Sequence, residues 1–521
     1  MKFLSATRAL GCAVLAVLAA PPVTAQSAPV VQQTLRFPYD SGYVSNPSAL
    51  EQVLSSQTIR VAQAAWIRLQ FSLVLLDHTD ESTGAFLRIT SHRDGAVQEL
   101  RTRHAREWRQ TSAYFNGDTV QVEIVAPPHS GPSRVALRNV WIGPLVAGPQ
   151  FSQCGATDDR VLSSYAANAR LLPTNCSGFL IDDCNHCFAT AGHCDNPYLQ
   201  VAEFNVPLST SFGTIVHPSP DDQYSVDGAS VQSQNGGVGN DWAHFGVFAN
   251  PNTGAFPFEA QAAFYTLDAA PPPFNASHVM RVAGYGIDND DLDHTQVQQT
   301  SSGPIFSLAG TVLRYAVDTF GGDSGAPVTW ENGTGNVVAI HTHGGCNTTS
   351  PNNGNWGTAI DQANFRAALG SPLGVCIPVA SWSGYCTAKL NSQGCTPTIS
   401  ALGSPSASAG AGSFTIQAGQ LINQQSGVLF YGSTSLAAPW KGGFLCVGSP
   451  KVRMALAATG GAPSGTDCSG SVSYDMGAHI AASGDPQLVC GATIYSQVWS
   501  RDPADAFHTN TTAGLMFTIG L

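Results

Sequence analysis

Apolar and polar residues alternate with period two near both ends of the chain. In "RLQFSL", Leu69, Phe71 and Leu73 alternate with Arg68, Gln70 and Ser72. In "VQVEIV", Val120, Val122 and Ile124 alternate with Gln121 and Glu123. Alternation of this kind predicts strands with one buried face. The pattern returns in "TIYSQVW" and in the closing "GLMFTIGL", where Leu515, Phe517 and Ile519 share a face. A helix is predicted in "DQANFRAALG", closed by Gly370. No short-period repeat runs along the chain. The expected class is all-β.

Length and composition divide the chain into blocks. At 521 residues it exceeds one ordinary core and predicts two to four domains. Hydrophobic residues make up 43% and charged residues 11%, with 53 Gly and 32 Pro, a turn-rich β composition and not a disordered one. The expected blocks are a β-sandwich over 27–147, a central domain over 150–378 and a second β-sandwich-like domain over 383–521. "WIGPLVAGPQ" reads as the first linker and "GSPSASAGAGS" as a flexible turn region.

The first 25 residues read as a secretory signal. Lys2 and Arg8 supply the positive end, Leu10 to Ala20 a short apolar run, and Val23-Thr24-Ala25 a small-residue cleavage site. Cys12 precedes most of that run, which argues against a lipoprotein. The run is too short to span a bilayer, and no later segment reads as a membrane helix. Removing these residues leaves 21 basic against 35 acidic side chains. That surface argues against nucleic acid as a partner. Twelve cysteines remain, an even number that in an exported protein predicts disulfides. Cys386 and Cys395, nine residues apart, read as a local bridge. "CNHC", Cys184 to Cys187, reads as structural, bridged internally or to Cys154, because no further zinc ligands can be named. "DNDDLD", Asp288 to Asp293, lacks the calcium-loop pattern and reads as a solvated acidic loop. No metal and no cofactor is expected.

Three short segments carry chemistry. A serine hydroxyl needs a neighbouring base, and that base needs an acid to hold its tautomer. "TAGHC" offers His193, "NDWAHFGVF" offers Asp241 and "GGDSGAP" offers Ser324. Their order is histidine, aspartate, serine. An α/β-hydrolase places the serine first and the histidine last, and Ala326 breaks the G-x-S-x-G pattern, so an esterase reading is weak. Asp227 and the Asp288–Asp293 cluster are rival acids, but Asp-Trp-Ala inside an apolar strand favours Asp241. His244 reads as an ordinary strand histidine.

On these motifs the central block resembles the chymotrypsin-like serine endopeptidases. The resemblance implies two antiparallel β-barrels, with His193 and Asp241 on the first and Ser324 on the second. It implies a hydrolase cleaving proteins or peptides, an oxyanion hole from the N–H groups of Gly322 and Ser324, and a disulfide between Cys176 and Cys194. "VDTFGGDSGAP", "AIHTHGGC" and "DDR" at Asp158 to Arg160 look like the bacterial glutamyl endopeptidases. By that likeness Thr319 and His341 bind an acidic side chain, and the stretch from Thr342 to Gly344 pairs with the substrate backbone. Asp318, six residues before Ser324, has the spacing of the acid that selects Arg or Lys in trypsin relatives. Both specificities stay open, as does an inactive protease-like scaffold serving adhesion.

Asp323 departs from the glutamyl enzymes. In chymotrypsin relatives an acid there pairs with a freed N-terminal amine, so a zymogen cut near 150–160 is expected, with Arg160–Val161 resembling the bond. The third block, through "CTAKLNSQGCTP", "FYG", "GFLCVG" and "WSRDP", resembles an accessory module of secreted environmental-bacterial proteins. The flanking blocks are candidates for surface or polymer binding. The expected protein is secreted, bacterial and monomeric.

Overall fold

The computed structural model describes residues 24–25, 32–77, 83–143, 151–195, 199–346, 354–377, 381–407 and 409–520. Residues 1–23 of the expected signal and 144–150 of the expected linker lie outside them. The rest of that linker is strand: Trp141, Ile142 and Gly143 end Ser130–Gly143, and Ile142 and Gly143 pair with Ile67 and Trp66. Pairing to a central strand overrides the turn tendency of the following Gly-Pro.

The chain is mostly β, and each block builds more than one sheet. In the first block, a sheet centred on Trp66–Leu75 and Ser130–Gly143 faces one centred on Thr119–Ala126. The alternation holds for Leu69, Phe71, Val120, Val122 and Ile124, which are all buried, but Arg68 is buried too and Leu73 is only half-buried where the register shifts against the neighbouring strand. The core does not stop at the block's edge. Leu172 and Val201, from the central block, pack into it with Trp66 and Tyr114. Polar contacts follow: Arg68 Nη1 donates to Gln200 Oε1 at 2.8 Å and Asn116 Nδ2 to His217 O at 2.8 Å. The Tyr114 ring stacks on His217 at 4.5 Å.

The central block holds two β systems. Seven strands curl in the order Gln223–Ser225, Val201–Glu203, Asn168–Leu172, Cys176–Leu180, Phe188–Thr190, Asp241–Phe245, Gln232–Asn235. Six others close into a barrel, because Val337–Gly344 pairs with both Pro327–Trp330 and Asn355–Ala359. Every pairing in either system is antiparallel. The predicted helix is Ala363–Leu369 with Gly370 as its C-cap. Thr24 and Ala25 pair with Gly344 and His343 on the outer edge of the second barrel.

The third block packs a six-stranded and a three-stranded sheet over a core that includes Leu515, Phe517 and Ile519. The nine-residue spacing of Cys386 and Cys395 did not make a bridge. Cys386 joins Cys446 and Cys395 joins Cys468. Sheet pairing brings distant cysteines within Cα separations of 6.1 and 6.5 Å, so fold geometry and not sequence proximity sets the partner. "CNHC" is split the same way. Cys187 joins Cys376 within the central block, and Cys184 joins Cys490, a covalent tie to the third block. Cys154 joins Cys346 instead.

The shared core yields the first prediction. Leu172→Ala should cost about 2–5 kcal/mol. Differential scanning calorimetry should show the first block and the first barrel losing stability together, where an independent appendage would leave one transition unmoved.

Candidate active site

Three loops meet between the two β systems. His193 lies in the 3-10 turn Gly192–Asp195, two residues beyond Phe188–Thr190. Asp241 opens Asp241–Phe245. Ser324 lies between Thr319–Phe320 and Pro327–Trp330. Cys176 and Cys194 are bridged, which fixes the histidine turn to the neighbouring strand.

The histidine and aspartate are tightly engaged. His193 Nδ1 is 2.6 Å from Asp241 Oδ2, and the His193 backbone N–H donates to Oδ1 at 2.9 Å. A carboxylate only accepts, so Nδ1 carries the proton and Nε2 presents its lone pair. Nε2 is buried without a protein partner. Ser324 Oγ donates to Thr342 O at 3.2 Å. The serine hydroxyl is turned toward Thr342, and Ser324 O lies 3.7 Å from Sγ of Cys194, the neighbour of His193. In ligand-free active sites generally, such hydrogen bonds are often long and tighten only with substrate bound.

Backbone conformation positions the serine. Gly322 has φ +110° and Gly325 φ +88°, values that side-chain-bearing residues rarely adopt. Gly321 O accepts from Ile287 N at 2.8 Å. In a trans peptide the next N–H points the opposite way, so the Gly322 N–H faces away from Ile287.

The floor beside the serine loop is polar and buried. Both Asp318 oxygens accept backbone N–H groups, Oδ1 from Cys154 at 2.5 Å and Oδ2 from Asp159 at 2.9 Å. Burial pushes the Asp318 carboxyl up to about 6. Thr319 Oγ1 accepts from Asn355 Nδ2 at 2.8 Å, which leaves its hydroxyl proton to donate elsewhere. His341 Nδ1 is 2.6 Å from Tyr315 Oη. Burial, with His343 and His193 nearby, pushes the His341 imidazolium down to about 3, so the ring is neutral at pH 7. With Tyr315 as donor, His341 Nε2 carries the ring proton. Thr342, His343 and Gly344 end the strand Val337–Gly344, and His343 and Gly344 take the Ala25 and Thr24 pairing.

Sequence reading did not single out Tyr315 or Asn355. Tyr315 ends the strand Val312–Tyr315, and nothing in that short run marks its hydroxyl as a partner for His341. Asn355 sits in "NWGTA", yet its carboxamide also accepts from Gly345 N and Cys346 N at 2.8 and 3.0 Å. The expected acidic loop is exposed at Asp290 and Asp291, but Asp288 turns inward and accepts from both of their N–H groups. Among the described residues, the groups of metal-ligating side chains within reach of one another use the bridged pairs Cys176–Cys194 and Cys187–Cys376. Disulfide sulfurs supply no thiolate for a metal.

Residues 160–366 match the family model described as Trypsin, so the chain carries a trypsin-family domain. Similar solved structures include a Glu endopeptidase in complex with MPD, at 17% identity over 42% of this chain and 97% of that one, TM-score 0.32. A thermostable serine protease AL20 from an extremophilic microorganism gives 16% identity over 38% and 90%, TM-score 0.30. Protease Anisep from Arthrobacter nicotinovorans gives 14% identity over 43% and 100%, TM-score 0.30. No curated protein matches the chain.

Titration of the floor gives a stability prediction. Asp318 is raised from 3.8 to about 6, so the folded state holds a proton that the unfolded chain has released. Its contribution is present below pH 3.8 and is lost as pH rises through about 6. Thermal melts of the wild type and Asp318→Asn should show the wild type losing ground to the variant across that window and no further above it. A pH-independent gap would refute the assignment.

Proposed function

We propose that the chain is an exported serine endopeptidase acting through His193, Asp241 and Ser324. The observation that carries this is the 2.6 Å His193–Asp241 contact within a trypsin-family domain, with Ser324 O 3.7 Å from Sγ of the Cys194 that follows the histidine. Ser324 Oγ attacks the scissile carbonyl and its proton passes to His193 Nε2. Asp241 holds the ring and offsets the imidazolium. The oxyanion is received by the N–H groups of Gly322 and Ser324. Collapse breaks the C–N bond, and the leaving amine takes the proton from His193. Water, activated by the same imidazole, then releases the acyl group. No cofactor enters these steps. Six disulfides suit an oxidising compartment. Among the described residues no helix is long and apolar enough to cross a membrane.

Acidic P1 side chains are the preferred substrates in this reading. Support comes from the floor: both Asp318 oxygens are taken by backbone N–H groups, so that acid is poorly placed to receive Lys or Arg. Thr319 supplies a hydroxyl donor for a carboxylate, and the neutral ring of His341 lines the same floor. The substrate backbone adds along Thr342 to Gly344, an edge that already accepts an extended segment at Thr24–Ala25. The 27–147 and 383–521 blocks are proposed as accessory domains, the first retained on the protease domain through their common core.

A serine-directed phosphonate and a mixed peptide library test this together. The label should fall on Ser324, and Ser324→Ala should lose both label and cleavage, with kcat down by on the order of 10⁶. Wild-type cuts should follow Glu or Asp and persist in Asp318→Asn. Cuts after Lys or Arg that vanish in Asp318→Asn would transfer specificity to Asp318. Absence of labelling in the wild type would favour the adhesion scaffold.

A further inference from the structure

Asp323 stands directly before Ser324 and is buried, with 3% exposure. A carboxylate in that position needs a positive counter-charge or a proton. Sequence reading assigned the counter-charge to an amine freed by cleavage near 150–160. The structure places another group there. Arg160 Nη1 lies 3.7 Å from Asp323 Oδ2, and the arginine side chain is 2% exposed.

We propose that the Arg160 guanidinium is the built-in counter-charge that holds Asp323, and through it the serine loop, in the shape catalysis requires, so that no newly freed N-terminal amine is needed. The inference rests on the protease reading above and names a positioning residue within that site.

The setting is built for a guanidinium. Nε and Nη2 form a fork on Asp158, with Nη2 to Oδ2 at 2.7 Å. Nη2 also donates to Ile287 O at 3.0 Å. The plane lies over the Phe320 ring at 4.0 Å, a contact that suits arginine. Asp288 Oδ2 is 3.8 Å from Nη2 and also accepts from Gln299 Nε2. Nη1 is buried and makes no hydrogen bond, so its N–H groups are left for the carboxylate of Asp323. Two glycines make room. A Cβ at Gly286 would meet Asp323 Oδ2 at 2.5 Å and Arg160 Nη1 at 2.6 Å, and one at Gly284 would meet Asp323 Oδ1 at 2.5 Å.

The consequence reaches the reacting atoms. Asp323 Oδ2 accepts from Phe320 N at 2.8 Å and Asp323 N donates to Phe320 O at 3.0 Å, which closes the turn ahead of Ser324. Arg160 also holds Ile287, whose N–H fixes Gly321 O and so the direction of the Gly322 N–H. One side chain thus braces both ends of the oxyanion segment. In the uncut chain Val161 is 61% exposed and pairs with Thr300 at a sheet edge, so the counter-charge present there is the guanidinium and not an amine.

Among the described residues, the charged and titratable groups around the pair are Asp158, Asp288 and Tyr315, none of them a cation. A guanidinium stays charged past pH 12, a lysine to about 10.4, and a terminal amine only to about 8. The test uses the full secreted chain, phosphonate labelling rates, and kcat and KM across pH 6–10.5. Wild-type chain uncut through residues 150–161 should label fully, and its kcat/KM should not fall near pH 8. Arg160→Met should lower kcat/KM by roughly 100-fold, mostly in kcat, the scale of losing an oxyanion donor. Arg160→Lys should recover part of that at pH 7–8 and lose it as the lysine deprotonates. Asp323→Asn with Arg160→Met should be no worse than Asp323→Asn alone.

The inference is overturned if folded Arg160→Met stays within twofold of wild type, if the two losses multiply, or if only chains cut near 150–161 are active. If Arg160→Met does not fold, the alkaline profile of Arg160→Lys decides: a profile identical to wild type overturns it. A wild type that never labels overturns the protease reading with it, an outcome distinct from a labelled wild type indifferent to Arg160.

Discussion

A carboxylate buried beside the serine governs this site. Asp323 cannot be solvated where it sits, and its burial pushes its pKa up to about 6 despite the arginine alongside. The backbone answers by wrapping it. Phe320 N donates to its side chain, and Ala326 N donates to its carbonyl at 2.9 Å. That wrapping forces the positive φ values at Gly322 and Gly325 and leaves Ser324 at the apex. The loop is then sewn to both β systems. Ser177 N, from the first, donates to Ser324 O, and Gly325 N donates to His341 O in the second. Ser177 Oγ donates to Gly322 O and accepts from Tyr285 N, both at 2.9 Å.

The segment from Phe151 to Arg160 underlies this arrangement from one side. Phe151 and Ser152 pair with Phe320 and Thr319. Cys154 and Asp159 cap Asp318 through their N–H groups, Cys154 is bridged to Cys346, and Arg160 reaches Asp323. Ten residues therefore fasten both Asp318 and Asp323. A short strap of this kind gains little hydrophobic burial, so its hold is covalent and polar. In the chain-entropy view a bridge closing 192 residues restrains the unfolded chain more than one closing 18, by about 2 kcal/mol.

What could be read in the sequence was what depends on local order. The period-two runs around Leu69, Val122 and Phe517 give their buried face directly, because a strand's alternation is written in consecutive residues. The motifs around His193, Asp241 and Ser324 were legible because each carries its own turn chemistry. What depends on partners distant in the chain was not. Cys386 and Cys395 look paired by spacing, yet each bridges a cysteine 60 or more residues away. Asp318 could face the cleft or the strap by sequence alone, and only the N–H groups of Cys154 and Asp159 decide it. Arg160 was visible as the residue before a candidate cleavage bond. Its role as a neighbour of Asp323 needed the fold to bring positions 160 and 323 together.

The same logic bears on how a pocket without a resident cation could accept an acidic side chain. His341 is neutral, and Thr319 offers a hydroxyl, so recognition would rest on hydrogen bonds and not on an ion pair. A carboxylate arriving near Asp318 meets an acid whose pKa is already raised to about 6. A second negative charge raises it further, by the rule that like charges cannot both ionise cheaply at short range. Uptake of one proton by Asp318 then removes the repulsion without moving the strap, because a protonated carboxyl keeps acceptor capacity for at least one of its two N–H partners. Under the proposed acidic-P1 reading, recognition would be coupled to proton binding on Asp318, with at least one of the Cys154 and Asp159 N–H groups keeping that side chain in place in either state.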